Sequence, residues 1–319
     1  FASISGDSFS VLAGQSQTLR VRFAPPSPGQ FDGAVFFSAE PCEQPTAQLE
    51  VAVDVRGTGV SEQVAGLAYV INRGSNSVSV LNTLTQEVAG TISVGDEPIA
   101  LSLTPDESKV YVVNFASNNV SVISTAGLRV TATIPVGLTP RAVAISPDGQ
   151  RAYVANSAPG EDSVSVLDLT TDTFLASIPV FRPAPSVLAL NPEASVLYVL
   201  GSGSDLVGLI DTRTNQIARI QAGDDPVAVD FSLDGTRAYI VNQGDNTVSI
   251  FNSTTFPPAK IEDVPVGEAP TSLAVTSEDK VYVANFLDNS ISVLNPVVSS
   301  QIRGMGDSLL STQGQLLTE

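Results

Sequence analysis

The chain has 319 residues, enough to bury a sizeable core in one large domain or two smaller ones. Acidic residues outnumber basic ones 33 to 15, and the net charge of −18 argues against nucleic acid or an anionic membrane surface as a partner. There is no histidine, which excludes His-ligated haem, zinc or copper and every His-dependent nucleophile; the one cysteine, Cys42, can form neither an internal disulfide nor a thiolate metal site.

Residues 1–60 show no period. No apolar run reaches the ~18 residues of a membrane helix, and no signal peptide opens the sequence, so a secreted form is expected to be a mature or trimmed chain. The stretches "SFSVLAGQSQTLRVRFAPPSPGQFDGAVFFSAE" and "QLEVAVDVRGTGV" predict three or four strands, broken by Pro-Ser-Pro-Gly and Glu-Pro-Cys-Glu-Gln-Pro. Their "LAGQSQTLRVRFAPPSPGQFDG" centre and closing "RGTGV" resemble the C-terminal half of the Ig-like modules of the Hydin and abnormal-spindle type, common in bacterial secreted proteins. The resemblance implies a partial β-sandwich without its opening strands, with unpaired edges and an uncovered apolar face. Such a half is expected to pack on the rest of the chain or to take a strand from another subunit. Cys42 reads as a loop thiol or as a bridge to another chain.

From residue 61 to residue 319 a repeat takes over. The six tyrosines, Tyr69, Tyr111, Tyr153, Tyr198, Tyr239 and Tyr282, are spaced by 42, 42, 45, 41 and 43 residues. Each sits in the same word: AYVIN, VYVVN, AYVAN, LYVLG, AYIVN, VYVAN. Nine residues later (eleven in the third unit) comes a second word: VSVLN, VSVIS, VSVLD, VGLID, VSIFN, ISVLN. A period of ~40 to 45 residues is the signature of a propeller or solenoid. Each unit holds four strand signals: a first such as "PIALSLTPD" (98–106), the apolar tyrosine word, the alternating VSV word, and a fourth such as "VTATIPVG" (130–137). With no helical period, the prediction is all-β: a β-propeller of four-stranded antiparallel blades preceded by the partial Ig-like segment.

The series "Y-V-x-N … V-S-V-I/L-D … A-T-I-P-V-G … P-x-A-V-A-x-S-P-D-G" resembles the YVTN-repeat β-propellers of bacterial and archaeal cell-surface and surface-layer proteins, over roughly residues 64–306. The fourth unit departs most, with Gly201 for Asn and Gly208 for Ser. Six tyrosine words accompany five first-strand words. The tail 307–319 is therefore expected to fold back as the missing strand and close six blades, with a seventh blade begun by that tail as the alternative.

In such blades the second-to-third turns and the blade-to-blade loops share one rim. Glu161, Asp162, Asp205, Asp245 and Asp288 come from the turns, and Asp96, Glu97, Asp224, Asp225 and Glu268 from the loops. Clustered carboxylates suit Ca²⁺ or a cation-bridged contact, but Asp, Asn and Gly are also what hairpin turns require, and no Asp-x-Asp-x-Asp-Gly loop occurs. No cofactor is otherwise expected. The word-ending Asn72, Asn114, Asn156, Asn242 and Asn285 are expected to hydrogen-bond nearby backbone, and the tyrosines to pack between blades with a satisfied hydroxyl. The functional expectation is a non-enzymatic extracellular or cell-surface protein that assembles with other subunits, chiefly copies of itself. A carboxylate-based, divalent-metal hydrolase of lactonase type and a scaffold for a soluble partner are the alternatives.

Overall fold

A strand whose residues are nearly all apolar has to be covered on both faces. A computed structural model of the chain shows how the tyrosine words meet that demand. The structure describes residues 30–36, 52–58, 66–158, 160, 162–180, 184–201 and 203–295. The chain divides into two compact units, Phe1–Ile71 with Val78–Thr91, and Asn72–Ser77 with Ile92–Glu319. In the first unit, Gln30–Phe36 and Ala52–Thr58 pair antiparallel, Gln30 opposite Thr58 and Phe36 opposite Ala52. The first repeat, blade I, is a three-stranded sheet of Leu67–Asn72, Ser77–Asn82 and Val88–Ser93.

The second unit carries five more sheets in chain order. Blade II contains Pro98–Leu103, Lys109–Asn114, Asn119–Ser124 and Arg129–Pro135. Blade III contains Pro140–Ile145, Arg151–Asn156, Ser163–Asp168 and Thr173–Pro179. Blade IV contains Pro185–Leu190, Val196–Gly201, Leu206–Asp211 and Ile217–Gln221. Blade V contains Pro226–Phe231, Arg237–Asn242, Thr247–Asn252 and Ala259–Pro265. Blade VI contains Pro270–Val275, Val281–Asn285 and Ser290–Leu294. Strand order within each sheet follows chain order, and every pairing is antiparallel. The chain is thus all-β, built of propeller blades. Four strands per unit hold for blades II to V, while blades I and VI show three among the described residues. Cys42, Glu161, the tail 307–319 and most of the expected Ig-like segment lie outside the described residues.

Alternation explains the packing. In blade II, Tyr111, Val113, Val120, Val122 and Ile134 point one way and meet Ala152, Val154, Leu167 and Leu169 of blade III. The same division recurs between blades III and IV, IV and V, and V and VI. Tyr111, Tyr153, Tyr198 and Tyr239 are among the largest fully buried side chains, so each tyrosine is a plug between successive sheets. First strands lie side by side from blade II to blade VI, which brings the second-to-third turns and blade-to-blade loops to one rim of this unit.

Candidate functional site

Three residues far apart in sequence meet at four of the blade junctions on that rim. Asn156, at the end of its tyrosine word, is fully buried. Its amide donates to Ser163 Oγ at 3.2 Å and Ser165 Oγ at 2.9 Å. Gly137, from the preceding loop, lies against the amide and donates its own N–H to Ser165 Oγ at 3.2 Å. A Cβ on Gly137 would fall 2.6 Å from Asn156 Cγ, so only glycine fits. Gly95 with Asn114, Gly223 with Asn242 and Gly267 with Asn285 repeat the contact, with Cβ-to-amide-carbon distances of 2.7 Å each. Asn114 donates to Asn119 Oδ1 and Ser121 Oγ, Asn242 to Thr247 Oγ1 and Ser249 Oγ, and Asn285 to Ser290 Oγ and Ser292 Oγ. Asn72 donates to Ser77 Oγ at 3.2 Å. The expectation that these amides serve nearby backbone is therefore corrected: they serve third-strand side chains, because the buried strand backbone is already paired within its sheet.

Between blades III and IV the clasp is missing. Gly201 replaces the Asn and Gly208 the Ser, and Gly208 stands opposite Arg219 of the outer strand. At this junction the rim opens into a cleft of about 850 Å³, whose walls include Leu138, Asp162, Pro179, Val180, Leu206 and Arg219.

The rim acids are engaged separately. Asp96 Oδ1 accepts from Asn76 Nδ2 at 2.9 Å, and Glu97 Oε2 lies 2.8 Å from an Arg73 guanidinium nitrogen. Asp245 Oδ2 accepts the N–H of Asp224 at 2.7 Å, and Asp288 Oδ2 that of Glu268 at 2.6 Å. The Asp225 carbonyl accepts from the N–H of Gln243, and Asp205 Oδ2 takes a long 3.4 Å bond from Gln221 Nε2. The left-handed turn residues Asn76, Asn118 and Asn246 (φ 51°, 53° and 56°) each accept a loop N–H, from Glu97, Thr139 and Ala269 respectively. Turn and loop thus hold one another, and among the described residues no three carboxylates converge to hold a metal ion.

Several contacts escaped the sequence reading. Two guanidinium groups lie over the Phe115 ring, Arg73 at 5.9 Å and Arg141 at 5.2 Å from its centroid, within cation–π range. At the opposite ends of the strands the Tyr111 hydroxyl donates to Asp172 Oδ1 at 2.5 Å, and Lys109 Nζ lies 2.8 Å from the same carboxylate. Burial, then that carboxylate, raises the Tyr111 phenol above its ordinary range. Tyr239 repeats the arrangement with Asp279 at 3.2 Å, and burial pushes it up to about 12. Asp230 sits on the first strand of blade V, where its carboxylate accepts from the N–H groups of Phe231 and, across the junction, Val275 at 2.8 and 3.0 Å. Desolvation raises its carboxyl above the ordinary value. Partners 40 or more residues distant leave no local signal; for Asp230 the signal was its place in a word that otherwise carries Ser102, Ala144, Ala189 and Ala274.

A family model for the YNCE-like β-propeller matches residues 51–223, more than half of the chain. No curated protein matches it. Among solved structures, a functionally unknown protein from Desulfotomaculum acetoxidans is 20% identical, with a TM-score of 0.63 over 72% of this chain and 75% of its own. Dihydro-heme d1 dehydrogenase NirN, in complex with DHE, is 18% identical, with a TM-score of 0.61 over 72% of this chain and 51% of its own. Hydrazine synthase from Kuenenia stuttgartiensis is 20% identical, with a TM-score of 0.44 over 76% and 98%. At such identities the likeness is one of fold, which many chemistries share.

Proposed function

This chain belongs to the YNCE-like β-propeller family, and from that premise we propose that it is a non-enzymatic structural and interaction protein. It works by presenting a rigid rim of loops to other protein subunits, chiefly copies of itself, at the cell surface or outside the cell. The observation that carries this reading is the way the rim is held. Each described loop is fixed by a buried clasp or by a turn side chain that accepts its N–H, so contact residues need no ordering on binding. The carboxylates of Asp96, Glu97, Asp205, Asp245 and Asp288 are spent one by one on backbone N–H groups, amides or an arginine, which is the use expected of turn residues rather than of an acid–base pair. The Ig-like resemblance of residues 1–60 supports placement outside the cell, and the net charge of −18 supports protein rather than nucleic-acid partners.

Electron microscopy and sedimentation of the native protein test the reading. Arrays, filaments or defined oligomers are the expected result. A monodisperse monomer that hydrolyses esters or lactones only with a divalent ion would overturn it in favour of the metal-dependent hydrolase.

A further inference from the structure

The rim of the second unit is not uniformly acidic. The cleft at the clasp-free junction has apolar walls, with one base, Arg219, and one acid, Asp162, as the charged side chains of its lining. Leu138 is half exposed on one wall, Val180 and Leu206 form others, and Arg141, three residues beyond Leu138, is exposed and stacked on Phe115. No carboxylate of the described residues is within ion-pair distance of Arg141. A volume near 850 Å³ is in the range of roughly 300–1,000 Å³ typical of sites that enclose a guest.

On this rim blade VI presents an apolar pair among acids and no base. Its second-to-third turn presents Phe286 and Leu287, 60% and 62% exposed, beside the exposed acids Glu268 and Asp288. The backbone beneath them is fixed, since Phe286 N–H donates to the Ala269 carbonyl at 3.0 Å and Leu287 N–H to that of Glu268 at 3.2 Å. Phe115 occupies the same place in blade II, and there two guanidinium groups cover the ring. Phe286 is the same aromatic, and among the described residues no guanidinium covers it. A rigid apolar pair flanked by negative charge is the form of a preorganised binding anchor.

We propose that the Phe286–Leu287 turn of one copy docks in the Leu138–Val180–Leu206 cleft of a second copy, with Arg141 facing Glu268 of the incoming turn. The proposal rests on the self-assembly reading above and names the contact that performs it. Because every copy carries both halves, the contact is either reciprocal, giving a two-fold pair, or head-to-tail, giving a ring or an open chain. Charge complementarity sets the register and speeds encounter, while the buried aromatic supplies the affinity.

Sedimentation velocity over a concentration series tests this on the full chain. The double variant Phe286→Ser with Leu287→Ser, and separately Arg141→Glu, are expected to weaken self-association by ~tenfold or more. All three positions are exposed, so an unchanged thermal midpoint verifies that the variants are folded. Glu268→Arg is expected to fail alone, yet an equimolar mixture of the Arg141→Glu and Glu268→Arg chains should associate, because one basic turn then meets one acidic cleft. Association undiminished in these variants, or a mixture that stays apart, overturns this contact while leaving self-assembly standing. A parent chain that remains monomeric overturns both.

Discussion

Gly137→Ala is the perturbation whose consequence the structure defines most closely. The new methyl would lie 2.6 Å from Asn156 Cγ, 2.7 Å from its Nδ2 and 2.8 Å from its Cβ, well inside ordinary contact. The neighbour is a fully buried amide held by two hydroxyls, so it has no free direction in which to yield. If the amide stays, the junction is overpacked at a cost of about 1–3 kcal/mol. If it swings away, two hydrogen bonds worth about 1 kcal/mol each are lost. Either route gives a destabilisation of about 1–3 kcal/mol. Asn156→Ala alone removes the same bonds and leaves a small void, for about 2–3 kcal/mol. In the double variant the new methyl occupies space vacated by the amide, so the costs should not add; a coupling of about 2 kcal/mol is expected. Urea unfolding of the parent, both single variants and the double variant measures this. Gly74→Ala, where nothing lies within 4 Å of the added carbon, is the control and should stay within about 0.5 kcal/mol of the parent. Costs that add to within ~0.5 kcal/mol would refute the clasp as a coupled unit.

Other expectations follow from single side chains. Asp230 has a raised carboxyl, so its contribution is fully present below the ordinary carboxylate pKa and is lost as pH rises through the folded value. Asp230→Ala, the residue found in blades III, IV and VI, should therefore gain on the parent between about pH 4 and pH 7; a pH-independent difference in thermal midpoint contradicts this. Tyr111→Phe deletes the 2.5 Å bond to Asp172 and should cost about 1–2 kcal/mol in urea unfolding. Lys109→Met strips the counter-charge from that half-buried carboxylate and should cost more, so an equal or smaller loss speaks against the ion pair. Asp245→Asn keeps an acceptor for the Asp224 N–H and should unfold with the parent, whereas Asp245→Ala should lose about 1 kcal/mol. Added Ca²⁺ should shift neither; a stabilisation by Ca²⁺ that both substitutions abolish would show the rim to be a cation site instead.

The propeller was legible because its evidence is repetition. Tyrosine words at a constant interval and alternating VSV words fix both the strand and its two covered faces, and Tyr111, Tyr153, Tyr198 and Tyr239 sit where that pattern requires. The clasp was not read, because Gly137, Asn156 and Ser165 belong to a loop and two strands, and each word taken alone suggests local bonding. A signal was nevertheless present. In the fourth unit the Asn and the Ser become Gly201 and Gly208 together, and the preceding loop runs Val180-Phe181 where its relatives have Val-Gly or Ala-Gly. Three positions that change as a set are a contact. The cation–π stack on Phe115, the Lys109–Tyr111–Asp172 group and its counterpart Arg237–Tyr239–Asp279 join side chains from different repeats, and the two acids stand at different places in their repeats, so nothing in the sequence tied them together.

The same set restricts how the repeats can be ordered. A unit whose tyrosine word ends in Asn accepts as its predecessor only a unit whose closing loop carries glycine, while the fourth unit makes no such demand and follows the loop without it. Blades of this chain are therefore not interchangeable tiles. Blades II, III, V and VI each carry on the leading edge a requirement that the neighbour's trailing loop must satisfy, so a duplication, deletion or swap of one unit survives only where requirement and loop still agree. The order of units is itself encoded, in one glycine and one amide at a time.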